Sequence, residues 1–358
     1  MTVADATRLG GKAHRMPFAR GEATGRGVSD NFAEDKSMLK TMRSALWLFL
    51  FASASAWPQA YPGKVVKAMI GYAPGSSTDI VGRLLAAKLA ESWKQPVIVE
   101  NRGGAAGNLA ADAVAKSAPD GYTILIAQNG LAISVAANPK LPFNGERDLV
   151  PVAAVAATPH ILIVGPNSPA KSVQELIALA KSRAGTPLTF GSSGHGNSDH
   201  MAGEMFKALT GVSAIHVPYR GGSLAATDLL GGQIDYYFAG MPVGLPLAKS
   251  GKVRALAVTG KQRFPGSPDT PTMAESGVPD YDMVLWQGVF VPAGTPRSII
   301  DRISADVAHI LETPEMKDRM AGAGVQIFSL GADKFGEYYR NDIARWRAIV
   351  KQAGISID

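Results

Sequence analysis

Two glycine- and serine-rich turns carry the most chemistry in this chain: Tyr72-Ala-Pro-Gly-Ser-Ser-Thr-Asp79 and Phe190-Gly-Ser-Ser-Gly-His-Gly-Asn-Ser198. Each follows a β-like run and opens onto a run with helical spacing. Small residues let a backbone bend tightly and bring its N–H groups close to a ligand. The first N–H groups of the following helix have no intrahelical acceptor and favour negative charge. Two such cradles in one chain suggest a small anion held between two lobes. Ser76, Ser77 and Thr78 are candidates to donate to a carboxylate, or to cap the helix that starts near them; one hydroxyl can cap while backbone N–H groups bind. Asp79 would repel an anion if it faced the cleft. In a first helical turn it is favoured by the dipole, as a structural group or as a contact for a ligand ammonium. Ser192, Ser193, Gly194 and Gly196 form the second cradle, with Tyr72 and Gly75 in the first.

Other polar residues stand where a ligand can be met. Gln128 and Asn129 end a β-like run, the place where parallel sheets bind ligands. His195 and His200 sit beside the second turn as titratable candidates, against the bland reading of a surface or satisfied core histidine. Tyr219 offers a hydroxyl or a ring, and Asp235 suits an ammonium or hydroxyl group; packing and a helix-to-strand turn are their structural alternatives. Arg102 is the nearest candidate cation, with a solvated loop charge as its plainer reading. Ser193, Asp199 and His200 supply the residue types of a hydrolase triad, but they crowd into eight positions, and Gly191-Ser-Ser-Gly-His195 is not a Gly-x-Ser-x-Gly elbow. Neither turn ends in Gly-Lys-Ser/Thr, and no Gly-x-Gly-x-x-Gly occurs, so phosphate-loop and dinucleotide readings fail.

The elements that position these residues alternate. Lys64–Tyr72, a helix from Thr78 to Trp93 and Pro96–Glu100 read as one βαβ unit. A loop through Asn108, a helix Leu109–Lys116 and a strand Tyr122–Gln128 follow. Ser172-Val-Gln-Glu175 is a capping-box pattern opening a helix to Arg183. Strand-turn-helix-strand logic returns over Leu188–Val217 and again over Gly221–Phe238. Leu149–Ala157 and Val284–Pro292 are long uncharged β-like runs, suited to crossovers between lobes. A last helix, Asp333–Gln352, carries Phe335, Tyr339, Ile343, Trp346 and Val350 on one stripe and is expected to return to the first lobe. The resulting expectation is an α/β protein whose first domain, 57–158 and 285–358, is interrupted by a second, 159–284.

The beginning of the chain bears on compartment. Residues 1–37 are hydrophilic and lack apolar periodicity, an expected unfolded or misassigned extension. Residues 38–56 read as a cleaved secretory signal: Lys40 and Arg43, then an apolar run from Ala45, then Ala54-Ser-Ala56. Ala60 is a second possible cleavage point. The apolar stretch is shorter than the ~20 residues a spanning helix needs, which disfavours a retained anchor. Removing 56 residues from 358 leaves 302, with 28 Lys/Arg against 25 Asp/Glu. That balance gives no reason to invoke nucleic acid. The absence of cysteine excludes disulfides, thiol catalysis and cysteine-based zinc sites, and suits an oxidising periplasm.

The order of motifs resembles the Bug-type receptors, the solute-binding proteins of tripartite tricarboxylate transporters. Besides the two turns it includes Val99-Glu-Asn-Arg-Gly-Gly-Ala-Ala-Gly-Asn108, Pro119-Asp-Gly-Tyr-Thr123, Val217-Pro-Tyr-Arg-Gly221 and Asp228-Leu-Leu-Gly-Gly-Gln-Ile-Asp235. Arg254-Ala-Leu-Ala-Val-Thr259, Pro271-Thr-Met-Ala-Glu275 and Phe290-Val-Pro-Ala-Gly-Thr-Pro296 extend it over essentially the whole mature chain. The resemblance implies a type II periplasmic binding fold of two lobes joined by two crossover strands, closing like a hinged clam. It also implies a small carboxylate ligand held by amides, hydroxyls and water without an arginine clamp. A monomer that partners integral membrane transporter subunits, with no cofactor or metal, completes that expectation. Ser76, where Pro-Gly-Gly is usual, and Asn-Arg-Gly-Gly, where Asn-Arg-Pro-Gly is more frequent, are departures in the first loop. A ligand-sensing receptor for a membrane histidine kinase is the alternative, and a serine hydrolase a more distant one.

Overall fold

The structure is a computed structural model and describes residues 61–183 and 185–353. The expected extension and signal segment lie outside the described residues. Among those described, no helix is long and apolar enough to cross a membrane.

Strand β1 (Val66–Ile70) lies between β2 (Val97–Asn101) and β3 (Thr123–Gln128), parallel to both. The helix between β1 and β2 is α1 (Ser77–Trp93), and α2 (Asn108–Ala115) and α3 (Gly130–Ala137) flank β3. β4 (Leu149–Val164) then runs sixteen residues, well past the expected end at Ala157. After α4 (Val173–Ser182) come β5 (Leu188–Ser192), α5 (Ser198–Thr210), β6 (Ala214–Pro218), α6 (Gly222–Leu230) and β7 (Tyr236–Gly240). α7 (Met241–Lys249) and β8 (Arg254–Val258) lead to β9 (Val284–Pro292). The chain finishes with α8 (Arg297–Glu312), α9 (Pro314–Gly322), β10 (Ile327–Leu330) and α10 (Ala332–Ala353).

The strands join in one ten-stranded sheet, order β2-β1-β3-β9-β4-β7-β5-β6, with β8 and β10 also paired to β4. Its length makes β4 the shared member. Its first part pairs antiparallel with β9, from Leu149 opposite Pro292 to Pro159 opposite Val284. Its last part, His160 to Val164, pairs with β7 and β8. The sheet therefore has two parallel-stranded wings, β2-β1-β3 and β7-β5-β6, bridged by the antiparallel β4–β9 ribbon. In both wings the carboxyl ends of the strands carry the two turns, so the fold delivers both to one region.

The returning helix is built as its stripe predicts. Phe335, Tyr339, Ile343 and Trp346 are buried, and the rings of Phe335 and Tyr339 meet Trp286 and Phe290 of β9 edge-on at 5.1–6.1 Å. The Trp286 indole N–H donates to Asp342 at 2.8 Å. Gly288 leaves the space that the Phe335 ring occupies. Helix α10 thus clamps the bridging ribbon from one face. Phe335→Ala should remove about 3–5 kcal/mol of unfolding free energy, the usual cost of emptying a buried aromatic position. Urea unfolding checks it; a loss below about 1 kcal/mol would mean that α10 does not brace β9.

Candidate functional site

A cavity lies where the two wings face each other, walled by Tyr72, Ser76, Ser77, Gln128 and Leu285 from one side and Ser193, Ser198, Asp199, Gly222, Tyr237 and Gly240 from the other, with His160 of β4 between. It measures about 10 Å3, the space of a single water. The wings are shut upon it. Tyr72 donates to Asn197 Oδ1 at 2.9 Å, Gln128 to the same oxygen at 3.3 Å, the Ala73 amide to the Arg220 carbonyl at 3.1 Å and the Ser223 hydroxyl to the Pro74 carbonyl at 3.0 Å. Gly240 permits the approach, since a side chain there would strike the Ser77 hydroxyl.

The local hydrogen bonds explain how each turn is built and which of its donors are engaged within the chain. In the first, Ser76 is the N-cap of α1 and accepts weakly from the Asp79 amide. The Asp79 carboxylate accepts from the Gly75 amide, Arg83 and Asn101, so it braces the turn and is turned away from any ligand. Thr78 donates to Gln128 Oε1 at 2.6 Å. In the second, the Ser193 amide donates to Asp199, the Gly194 amide to the Ser192 hydroxyl, the Gly196 amide to His200 Nδ1 and the Asn197 amide to the Gly194 carbonyl. In the second turn, side chains thus take the Ser193, Gly194 and Gly196 amides, and a backbone carbonyl takes that of Asn197. Among the described residues, the donors without a partner include the first amides of each helix: Ser77 and Thr78 of α1, Ser198 and Asp199 of α5. Both helix starts face the cavity.

Of the residues expected in the site, Tyr72, Ser76, Ser77, Gln128 and Ser193 line the cavity. Gly75, Thr78, Asp79, Asn129, Ser192, Gly194, Gly196 and His200 stand behind it as framework. Asn129 pins β9 by donating to the Val284 carbonyl. Tyr219 and Asp235 are elsewhere. Tyr219 bonds Asp228 at 2.6 Å. Asp235 precedes β7 and accepts from the Thr189 amide and hydroxyl, at the amino end of strands whose carboxyl ends meet the cavity. Arg102 is exposed and paired with Glu100. The triad fails on geometry, since Asp199 accepts the Ser193 and His200 amides while His200 Nδ1 accepts from Gly196.

Sequence reading missed His160, Ser198, Gly222, Tyr237, Gly240 and Leu285, and weighed Asp199 only as a triad member. Ser198 was legible as the first residue after the turn. His160 was not, because a lone histidine inside an apolar strand carries no pattern. Its Nε2 lies 3.1 Å from the Ser198 hydroxyl, and Nδ1 is buried without a partner. Burial pushes its pKa down to about 3, so the ring stays neutral. Burial pushes the Asp199 carboxyl up to about 6, against the Ser193, His200 and Tyr237 donors that favour its ionised form. Among the described residues, no lysine or arginine lines the cavity. A wider groove near Asn138, Asn144 and Arg347 lies elsewhere; its charges pair with one another, Arg147 with Asp148 and Arg347 with Glu146.

The buried His160 makes stability depend on pH. Below its unfolded pKa of ~6.5 the unfolded chain takes a proton that the folded chain refuses down to about 3. This group's contribution is therefore fully present above ~6.5 and is lost as pH falls, by up to ~1.4 kcal/mol per unit. Unfolding free energies of wild type and His160→Gln, measured between pH 7 and 4, should diverge in slope, the variant losing less stability on acidification. Parallel curves would place His160 in contact with solvent.

The tripartite tricarboxylate transporter family receptor model matches residues 81–355. BugT of Bordetella pertussis is 33% identical over 88% of this chain and 98% of its own length. The structure of R. palustris Rpa4515 with adipate superimposes with a TM-score of 0.80 at 33% identity, covering 83% of this chain and 99% of that one. MatC of Rhodopseudomonas palustris with bound malate gives 0.76 at 30%, covering 81% and 100%. The fold is that of these periplasmic binding proteins, and the matched proteins are solute receptors rather than enzymes.

Proposed function

Because the chain belongs to the tripartite tricarboxylate transporter receptor family, we propose that it captures a small dicarboxylate in the cavity between its wings and delivers it, in the periplasm, to integral membrane transporter subunits. The observation that carries this reading is the pair of helix starts with unpaired amides, one on each wall of a cavity without lysine or arginine. Helix starts are anion sites, and opposed starts suit a ligand with a carboxylate at each end. Four amide hydrogen bonds to charged acceptors, at about 1.5–3 kcal/mol each, bracket the ~8 kcal/mol of micromolar binding. No further cation is needed. Adipate and malate in the two related structures support the ligand class.

In this reading residues 61–158 with 285–353, and residues 159–284, move as lobes about the β4–β9 ribbon. Opening breaks the Tyr72–Asn197, Ala73–Arg220 and Ser223–Pro74 contacts and admits the ligand. Asp199 braces the second lobe's helix start, its oxygens already occupied by three donors of its own chain.

Proline substitution tests the site without breaking the helices. Ser77 and Ser198 are first helical residues, where proline is tolerated, and each follows a cap with extended dihedrals, Ser76 at φ −70° and Asn197 at φ −80°. Ser77→Pro and Ser198→Pro each delete one amide donor. Each should weaken dicarboxylate binding by roughly ten- to hundredfold; Ser77→Pro should leave the ligand-free melting temperature near that of wild type, whereas Ser198→Pro also removes the hydroxyl that meets His160 Nε2 and should lower it by several degrees. A larger residue at Gly194 is a poorer test, because its φ of +127° strains any side chain.

Refolded protein screened by thermal shift against mono-, di- and tricarboxylates supplies the baseline. A ligand at 100 times its Kd adds about 2.7 kcal/mol, several degrees of melting temperature. Unchanged affinity in both proline variants would remove the helix starts from the site. A shift confined to amines or sugars would overturn the carboxylate class. Loss of uptake of the same dicarboxylate on deleting the gene separates delivery to a transporter from signalling to a kinase.

A further inference from the structure

A cluster of three histidines stands behind the second turn: His195 on the turn, His200 in the first turns of α5 and His216 on β6. One ring nitrogen of each lies within 4.8 Å of the others. His216 is central, its ring centroid 3.9 Å from His200 and 4.8 Å from His195. The hydrogen bonds show which nitrogens are engaged. His216 Nε2 lies 2.5 Å from the Ser192 hydroxyl, and His216 Nδ1 is buried without a partner. His200 Nδ1 is a lone pair, accepting the Gly196 amide at 3.0 Å, while its Nε2 faces Glu204 at 3.7 Å. His195 is exposed and free to turn its ring inward.

We propose that His195, His200 and His216 bind one borderline first-row divalent cation of the zinc, nickel and copper group. Imidazole nitrogens select these ions over magnesium or calcium, and three of them leave a fourth position open to solvent. His216 and His200 supply Nδ1; Ser192 holds His216 Nε2, the usual outer support of a metal-bound histidine, and Glu204 stands 3.7 Å from His200 Nε2. Tetrahedral bonds of ~2.05 Å need nitrogens roughly 3.3 Å apart, so separations of up to 4.8 Å must contract by up to about 1.5 Å and the stacked His200 and His216 planes must fan apart. The turn can follow, for Gly194 and Gly196 flank His195, and β6 is the outermost strand of its wing. Binding releases the Gly196 amide and ties the turn that carries Ser193 to both α5 and β6.

The chain without an affinity tag, freed of metal by chelator, is titrated with Zn2+ by calorimetry and equilibrium dialysis, and with Co2+ while visible absorption is recorded. The expected result is one ion per chain at micromolar or tighter Kd, a tetrahedral Co2+ spectrum and no uptake of Mg2+. His195→Ala, a surface change that leaves the fold intact, should weaken Zn2+ at least tenfold, and His216→Asn should abolish the Co2+ spectrum. Absence of saturable uptake, or Zn2+ affinity unchanged in His195→Ala, overturns the proposal. The outcome does not depend on which solute occupies the cavity.

Discussion

Helix starts from opposite wings of one sheet confront each other with amides that have no partner among the described residues. A buried donor without an acceptor costs about 1–3 kcal/mol, a cost that water or the proposed carboxylate would relieve. The rest of the molecule is arranged to hold those amides in place. Parallel strands bring both turns to the carboxyl edge of each wing. Asp79 and Asp199 gather nearby donors that would otherwise compete, while the first helical amides stay open. The β4–β9 ribbon sets the distance between wings, and α10 holds the ribbon through Trp286 and Asp342.

Much of this was legible in the sequence because its signals are local. A β-like run, a small-residue turn and a helical stripe within thirty residues specify a unit without knowledge of the remainder, and β1-α1-β2 and β5-α5-β6 stand close to where those patterns put them. The crossover ribbon was half legible. Val284–Pro292 is β9 to the residue, but β4 continues through Pro159, which reads as a strand end and is tolerated because it lies opposite Val284, where β9 begins and that pairing stops. Helix α3 is apolar nearly all round and shows no stripe, and α7 contains Pro242 and Pro246, so neither announced itself.

The site was harder, for a reason that composition cannot supply. Sequence counts donors in a turn; it does not say which are already taken. Gly194 and Gly196 looked like the cradle, yet the aspartate and histidine of the helix that follows consume their turn's amides. His160 and Tyr237 come from strands distant in sequence and meet Ser198 and Asp199 only through the sheet order. Asp235 went the other way: a strand has two ends, and only the pairing of β7 with β5 reveals which one faces the cavity.

If the cavity holds the solute as proposed, its wall, with no lysine or arginine among the described residues, sets how the protein responds to its surroundings. Attraction between exposed charges fades over about 8–10 Å at ordinary ionic strength, whereas short hydrogen bonds inside a shut cavity are screened far less. A receptor that gripped its solute with surface cations would lose it as the medium became saline. One that grips with buried amides forgoes long-range steering and accepts slower capture. In exchange, its hold on the solute stays nearly constant from dilute to salty water, in a compartment whose ions follow the outside world.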